Sequence, residues 1–94
     1  MSRILAHLFL FCDTNKDSSK MLRITRYGYG EEVSEHACDL INFEMSSYDS
    51  LNIIENQGER VLSFMLEGCI ANFEEKHVQL YHSKELYLLF EFMD

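Results

Sequence analysis

Residues 30–44, GEEVSEHACDLINFE, contain the side chains best suited to chemistry. Glu32 and His36 are four residues apart, and so are Glu35 and Asp39. If the stretch is helical, this spacing places both members of each pair on one face. There the carboxylate and imidazole of the first pair, or the two carboxylates of the second, can share a proton or a metal ion. Three interpretations follow: a metal site, an acid–base pair, or a charged surface.

Metal binding is not supported by the spacing of the available ligands. His36 and Cys38 are two residues apart, which places them on different faces of a helix. A zinc site needs three or four converging ligands, and the other histidines and cysteines are scattered along the chain. Residues 13–17, DTNKD, are similar to the start of an EF-hand loop, but Ser18 and Ile24 stand where calcium binding requires glycine and glutamate. We predict no metal site and no cofactor.

Catalytic motifs are not found in the sequence. It contains no GxSxG, no GxGxxG and no Walker A motif, and the YGYG segment at 27–30 is too short for a phosphate-binding loop. The paired acids are predicted to be solvent-exposed, and exposed carboxylates lack the environment that tunes a general acid or base. We predict that the protein is not an enzyme and has no catalytic residue.

Two pairs of segments have the patterns of β-hairpins. Residues 3–12, RILAHLFLFC, are apolar on both alternating faces, and residues 20–27 alternate after a polar loop. A bounded apolar run of this kind is typical of a buried strand. Residues 77–81 and 86–92 show a similar pattern around a turn at HSKE. We predict one hairpin near each end of the sequence.

The middle of the sequence has a helical period. The apolar residues of 31–45 fall within about 100° of arc, with the acids on the opposite side, which predicts a helix. Residues 59–76 have a wider apolar stripe at i, i+4 spacing and predict a second helix, with a strand at 60–66 as the alternative. A short helix is predicted at 51–57, ending at Gly58.

These elements predict an α+β fold. The two hairpins would form a four-stranded antiparallel sheet with two to three helices on one face, in the order ββ-α(α)α-ββ. At 94 residues and 47% hydrophobic content, the sequence has the size and composition of one globular domain, which we assign to residues 1–94.

Cysteine usage and hydropathy indicate the compartment. The sequence has three cysteines, an odd number with no CxxC spacing. This pattern argues against a disulfide framework and for a reducing environment. No stretch approaches the roughly 20 apolar residues that span a membrane. We predict a cytoplasmic protein with no membrane contact.

The charge distribution is the most informative feature of the sequence. The net charge is −8, and residues 27–75 hold eleven acidic residues with Arg60 as their only basic one. Free nucleic acid is not an expected partner, because phosphate binding requires clustered lysine and arginine. An acidic surface suits a basic protein, and the alternative is that it only keeps the protein soluble.

The predicted acidic helices have a charge spacing comparable to that of DNA. Carboxylates four residues apart on a helix are separated by about 6 Å along its axis, and a DNA strand has a phosphate about every 3.4 Å. Such an array would compete for the lysine and arginine groove of a DNA-binding protein or nuclease. The predicted partner-binding carboxylates, called the acid set below, are Glu31, Glu32, Glu35, Asp39, Glu44, Asp49, Glu55, Glu59, Glu67, Glu74 and Glu75.

The sequence resembles phage anti-restriction proteins that act as DNA mimics, in particular the anti-restriction nuclease inhibitor type of T-even phages. The resemblance is one of general character: small size, no predicted disulfide, no catalytic motif and an acidic middle segment. It implies an inhibitor that blocks the DNA site of a host defence protein, such as a restriction nuclease, in the host cytoplasm. We expect a homodimer, which would double the charge and lengthen the array.

A different class of function is indicated by the apolar segments. Residues 3–12 and 86–92 are apolar on both faces, so one face could pack on the helices while the other forms a dimer or partner interface. In this alternative the protein is an interaction module or regulator, and the acids serve solubility only. Binding that is insensitive to salt but lost on replacing Phe9 or Phe90 would favour it.

Overall fold

The described part of the chain is mostly β-sheet. A computed structural model describes residues 3–40, 43–47 and 50–94. No helix in this part is long and apolar enough to cross a membrane. Within these residues the elements are one helix, α1 (Arg3–Asn15), and eight strands, β1 (Met21–Gly28), β2 (Glu31–Asp39), β3 (Phe43–Ser47), β4 (Leu51–Glu55), β5 (Arg60–Phe64), β6 (Cys69–Phe73), β7 (His77–His82) and β8 (Glu85–Met93).

The strands form two antiparallel sheets. The large sheet has five strands in the order β2-β1-β8-β7-β6, and the small sheet has three in the order β3-β4-β5. Both α1 and the small sheet lie on one face of the large sheet, called the inner face. Aromatic contacts show this arrangement: Phe11 of α1 has its ring centroid 5.4 Å from that of Phe92 in β8, and Phe64 of β5 packs edge-on against Phe90 of β8 at 6.5 Å.

The hydrophobic core lies between the inner face and the elements that cover it. Strand alternation directs Ile24 of β1 and Leu88 and Phe90 of β8 inward, and the register places Ile24 opposite Phe90. Leu8 of α1 and Ile53 of β4 pack against them from the covering layer. All five side chains are fully buried, and burying each stabilises the fold by about 1.5–3 kcal/mol.

The predicted α+β fold class is wrong, because the described residues form eight strands in two sheets and one short helix. The first error is near the start of the sequence, where the predicted strand 3–12 lies within α1. An apolar run with two apolar faces does not distinguish a strand from a buried helix. Its buried residues Leu8, Cys12 and Asn15 recur at helical spacing, which is the signal that identifies the helix.

The second error is in the middle of the sequence, where β2 to β6 replace the predicted helices 31–45, 51–57 and 59–76. Gly58 and Gly68 have φ angles of 93° and 76°. Glycine adopts this left-handed conformation easily, and it turns the chain between strands. Burial in β4 and β5 alternates with a period of two, so packing against the core overrode the helical pattern. The alternative strand at 60–66 matches β5.

The clearest alternating segments were predicted correctly. Residues 77–81 and 86–92 are confirmed as a hairpin, because β7 and β8 pair antiparallel. The strand at 20–27 is confirmed as β1, but it pairs with β2 and β8 rather than with residues 3–12. Along most of each of these strands, buried residues alternate with half-exposed ones, which produces a readable pattern.

Candidate functional site

The acid set is largely exposed, but it does not lie on a helix. Asp39 is half-buried, Glu55 is buried, and Asp49 lies outside the described residues. The exposed members lie on β2, on β3 and in the turns between β4 and β7. They are Glu31, Glu32, Glu35, Glu44, Glu59, Glu67, Glu74 and Glu75.

The strand register separates the exposed carboxylates. Glu31 begins β2 and Glu67 precedes β6, and antiparallel pairing places these strand ends at the same end of the large sheet. Glu74 and Glu75 follow β6 and lie at the opposite end. The eight residues of β1 separate the two ends by about 26 Å. The carboxylates therefore do not form the single row that helical spacing predicted.

Glu55 has a structural role. It is only 6% exposed and forms an ion pair with Arg60 of β5. Its Oε1 accepts a hydrogen bond of 2.8 Å from the backbone N–H of Asp39, and the Arg60 guanidinium donates to the carbonyl of Ala37. The ion pair thus joins the small sheet to β2. Glu55 follows the buried Ile53 by two residues, so strand alternation places both side chains on the same buried face. This spacing is the sequence signal that distinguishes Glu55 from the exposed acids.

The outer face of the large sheet, opposite to the inner face, has no covering layer within the described residues. Met21 of β1, Leu89 of β8 and Tyr81 of β7 are half-exposed on it. Ile70 of β6 stands opposite Tyr81 and is 72% exposed. None of these residues belongs to the acid set, so the predicted site missed this face. The signal in the sequence was LYLLFEF, residues 86–92 of β8, which is apolar on both alternating faces. An open apolar face of this kind is a feature of protein interaction sites.

Charged side chains lie on the same outer face. The Nη2 and Nε atoms of Arg23 in β1 are each 3.1 Å from Oε1 of Glu91 in β8. The hydrogen bond to the Glu91 carboxylate and its negative charge raise the pKa of Arg23, and the charges of Glu35 and Glu32 on β2 add to this effect. Among the described residues, neither Glu32 nor Glu35 forms an ion pair. The outer face thus combines apolar side chains with a negative border along β2.

Two clefts flank α1. One lies between α1 and β3, where Lys16 Nζ is 4.9 Å from the ring centroid of Phe43 and Cys12 forms part of the wall. The other contains Lys76, whose Nζ is 2.7 Å from the hydroxyl oxygen of Ser18. Lys76 Nζ also lies 3.0 Å from the hydroxyl oxygen of Ser19. These contacts of the exposed lysine join the loop after α1 to the segment before β7.

The histidines are dispersed over the structure. His7 of α1 stacks on Phe73 of β6 with ring centroids 3.7 Å apart. His36 lies on β2, and His77 and His82 lie at the two ends of β7. In the part of the chain that the structure describes, no three histidine, cysteine or acidic side chains are grouped closely enough to hold a metal ion.

The three cysteines are free and buried. Burial raises the pKa of the Cys12 thiol to about 12. Burial also raises the pKa of Cys38 and of Cys69. Because the thiolate is the reactive form of cysteine, these thiols are protected in the folded protein.

We expect the thiols to resist alkylation while the protein is folded. At pH 8, iodoacetamide should modify Cys12 at least about tenfold more slowly in native protein than in urea, as measured by peptide mass spectrometry. Because folding raises the pKa of Cys12, the linked stability is present below its ordinary value of 9.0 and is lost as the pH rises toward 12. Equally rapid labelling of native and unfolded protein would contradict this prediction.

Comparison with known proteins adds no assignment. No protein-family model, curated protein or solved structure matches the chain. The resemblance to phage anti-restriction proteins stays a prediction. The functional interpretation depends on the geometry and charge of the described residues.

Proposed function

We propose that the protein is a non-catalytic binding protein that blocks a basic protein, using the outer face of the large sheet. The observation that carries this proposal is the uncovered apolar surface on that face. Both α1 and the small sheet pack on the inner face, so Leu89 and Ile70 have no covering layer within the described ranges. Apolar patches with a polar rim are typical of surfaces that bind other proteins.

Charge indicates the kind of partner. Glu32 and Glu35 border the outer face without an ion-pair partner in the described residues, and the whole chain carries −8. Such a surface attracts a basic partner over a distance and accelerates association. A second copy of this chain would bring the same negative charge. We therefore infer a partner that combines exposed apolar groups with lysine or arginine.

Replacing Leu89 by serine should weaken partner binding about tenfold or more, because a few apolar anchors dominate most protein interfaces. The measurement is affinity capture from a cell lysate, followed by titration of the purified captured protein. Val61→Ser is the matched control, since Val61 is also an exposed apolar residue but belongs to the small sheet. Support requires a basic protein that the Leu89 variant loses and the Val61 variant retains. Equal affinities of the Leu89 and Val61 variants for the captured protein would contradict the proposal.

A homodimer is the competing occupant of the outer face. Analytical ultracentrifugation of the wild type and of Leu89→Ser tests it directly. A monomeric wild type agrees with a basic partner. If the wild type is a dimer and the variant a monomer, the outer face is a dimer interface and the proposed partner does not bind there.

DNA mimicry is a second candidate function, favoured by the exposure of eight members of the acid set. The partner would then be a DNA-binding protein or nuclease in the host cytoplasm, a location that agrees with three free, buried thiols. Duplex DNA should compete for the captured partner, and binding should weaken steeply with salt. Reversing the charges of Glu31, Glu32 and Glu35 should then weaken binding more than Leu89→Ser. The opposite order, without DNA competition, would exclude mimicry.

A further inference from the structure

The edge strand β2 has outward backbone groups that can be assigned from the register. The Leu40 N–H donates to the Lys20 carbonyl at 2.8 Å, so these residues form a hydrogen-bonded pair next to the β1–β2 ladder. In antiparallel sheets such pairs alternate with pairs whose N–H and C=O groups point away from the neighbouring strand. Glu35, Ala37 and Asp39 therefore direct their backbone groups away from β1, toward the edge of the large sheet.

One end of this edge is already closed by side chains. The Asp39 N–H donates to Oε1 of Glu55 at 2.8 Å, and Arg60 donates to the carbonyl of Ala37. The Glu55–Arg60 pair thus presents one acceptor and one donor, which are the groups that a neighbouring strand would present at this position. The accessible part of the edge therefore ends at Ala37.

The remainder of the edge is unpaired. Within the described residues, no hydrogen bond engages the N–H or C=O of Glu35 or the N–H of Ala37. The side chains of Glu31, Glu32, Val33 and Glu35 are exposed along this segment. Exposed and unpaired edge groups are a template on which another strand can pair.

We propose that the β2 edge binds an extended, basic segment of a partner protein, which joins the large sheet as a sixth strand. Backbone hydrogen bonds to Glu35 and Ala37 would hold the segment. Lysine or arginine at alternate positions would lie beside Glu32 and Glu35, where opposite charges on neighbouring strands are favourable. The Glu55–Arg60 pair would set the register by stopping the added strand at Ala37.

The negative charges on β2 favour this edge over the other strand edges, and they favour a basic segment over a second copy of the chain. A second copy pairing through β2 would place glutamates beside glutamates, which is unfavourable. Among the other described edge strands, β6 has no charged residue, β3 has the single acid Glu44, and β5 begins with Arg60. This inference goes beyond the outer-face proposal and does not depend on it, because the outer face acts through side chains and the edge through backbone groups.

The test uses a synthetic peptide of alternating lysine and threonine, about eight residues long and so the length of an ordinary strand. Titration into the isotope-labelled protein should shift the amide resonances of Glu35 and Ala37 and slow their hydrogen exchange. The same peptide with N-methyl groups on the residues that face β2 cannot donate to the Glu35 carbonyl, and the methyl groups hold its backbone away from the edge, so it should bind at least about tenfold more weakly. Equal binding of both peptides, or unchanged amides at these residues, would overturn the inference.

Variants separate this inference from the outer-face proposal. The double variant Glu32→Lys/Glu35→Lys should lose peptide affinity at least about tenfold. Glu74→Lys/Glu75→Lys makes the same charge change at the end of β6 and should retain affinity, as should Leu89→Ser. Equal losses in the two charge variants would overturn the inference. Loss in Leu89→Ser alone would place the peptide on the outer face, contradicting edge pairing while agreeing with the proposed function.

Discussion

An Arg60→Ala variant is expected to have a free energy of unfolding about 3 kcal/mol below that of the wild type. The substitution leaves the carboxylate of Glu55, which is 6% exposed, without its positive partner. It also removes the donor to the Ala37 carbonyl, so the small sheet loses its polar connection to β2. The Arg60 side chain is 41% exposed, so water can partly replace it and the loss should fall at the lower end of the range for buried ion pairs. Urea denaturation followed by circular dichroism measures the effect.

Two further variants identify the cause of the Arg60 effect. Arg26→Ala removes an exposed arginine that forms no ion pair within the described residues, and it should change stability by less than about 0.5 kcal/mol. The double variant Glu55→Met/Arg60→Met removes both charges together and should be more stable than Arg60→Ala, because no buried charge is left unpaired. If Arg60→Ala is no less stable than Arg26→Ala, the ion pair does not join the two sheets.

A Phe90→Ala variant is expected to lose about 3–5 kcal/mol of stability. Phe90 is fully buried on the inner face, between Ile24 and Val78 of the neighbouring strands, and it packs edge-on against Phe64 of the small sheet. Truncation removes the ring and leaves a cavity at the point where the two sheets meet. Since domains of this size are stable by about 5–15 kcal/mol, the variant should melt at a much lower temperature. Thermal unfolding by calorimetry or circular dichroism gives the difference.

Ile70→Ala is the control for this core substitution. Ile70 is an apolar residue of the same sheet but is 72% exposed, so its truncation should change stability by less than about 0.5 kcal/mol. Leu89, next to Phe90 in sequence, points to the outer face and should affect binding more than stability. Similar melting temperatures for Phe90→Ala and Ile70→Ala would contradict the assignment of the inner face.

The proposed outer-face site and the β2 edge share a border. Glu32 and Glu35 lie beside both, so one basic partner could cover the apolar face and pair a strand with the edge. The separate effects of Leu89→Ser and of the N-methylated peptide show whether one or both contacts are used. The sequence predicted Phe90 as part of an interaction surface, but Phe90 is fully buried, so replacing it does not test that surface.

The local pattern of apolar and polar residues predicted an element correctly only where one face of a strand is mostly buried and the other is open. β1, β7 and β8 show this alternation, and each was predicted within a few residues. α1 was mistaken for a strand because an apolar run with two apolar faces suits either element. β2 was mistaken for a helix because its inward residues include polar Ser34 and His36, so its alternation is weak. Pairing with β1, which is a tertiary interaction, determines its structure.

The sequence by itself determined the charge, the apolar-rich composition and the exposure of most acidic side chains, since these properties follow from the residue types and from the cost of burying unpaired charge. Only the tertiary structure decided where the carboxylates stand relative to one another. Strand pairing between distant residues distributes them over the two ends of the large sheet, the β2 edge and the small sheet, and it buries Glu55 against Arg60. Within the described residues it also leaves the backbone groups of Glu35 at the β2 edge without a partner. Such contacts depend on long-range packing, which the local spacing of residues does not encode.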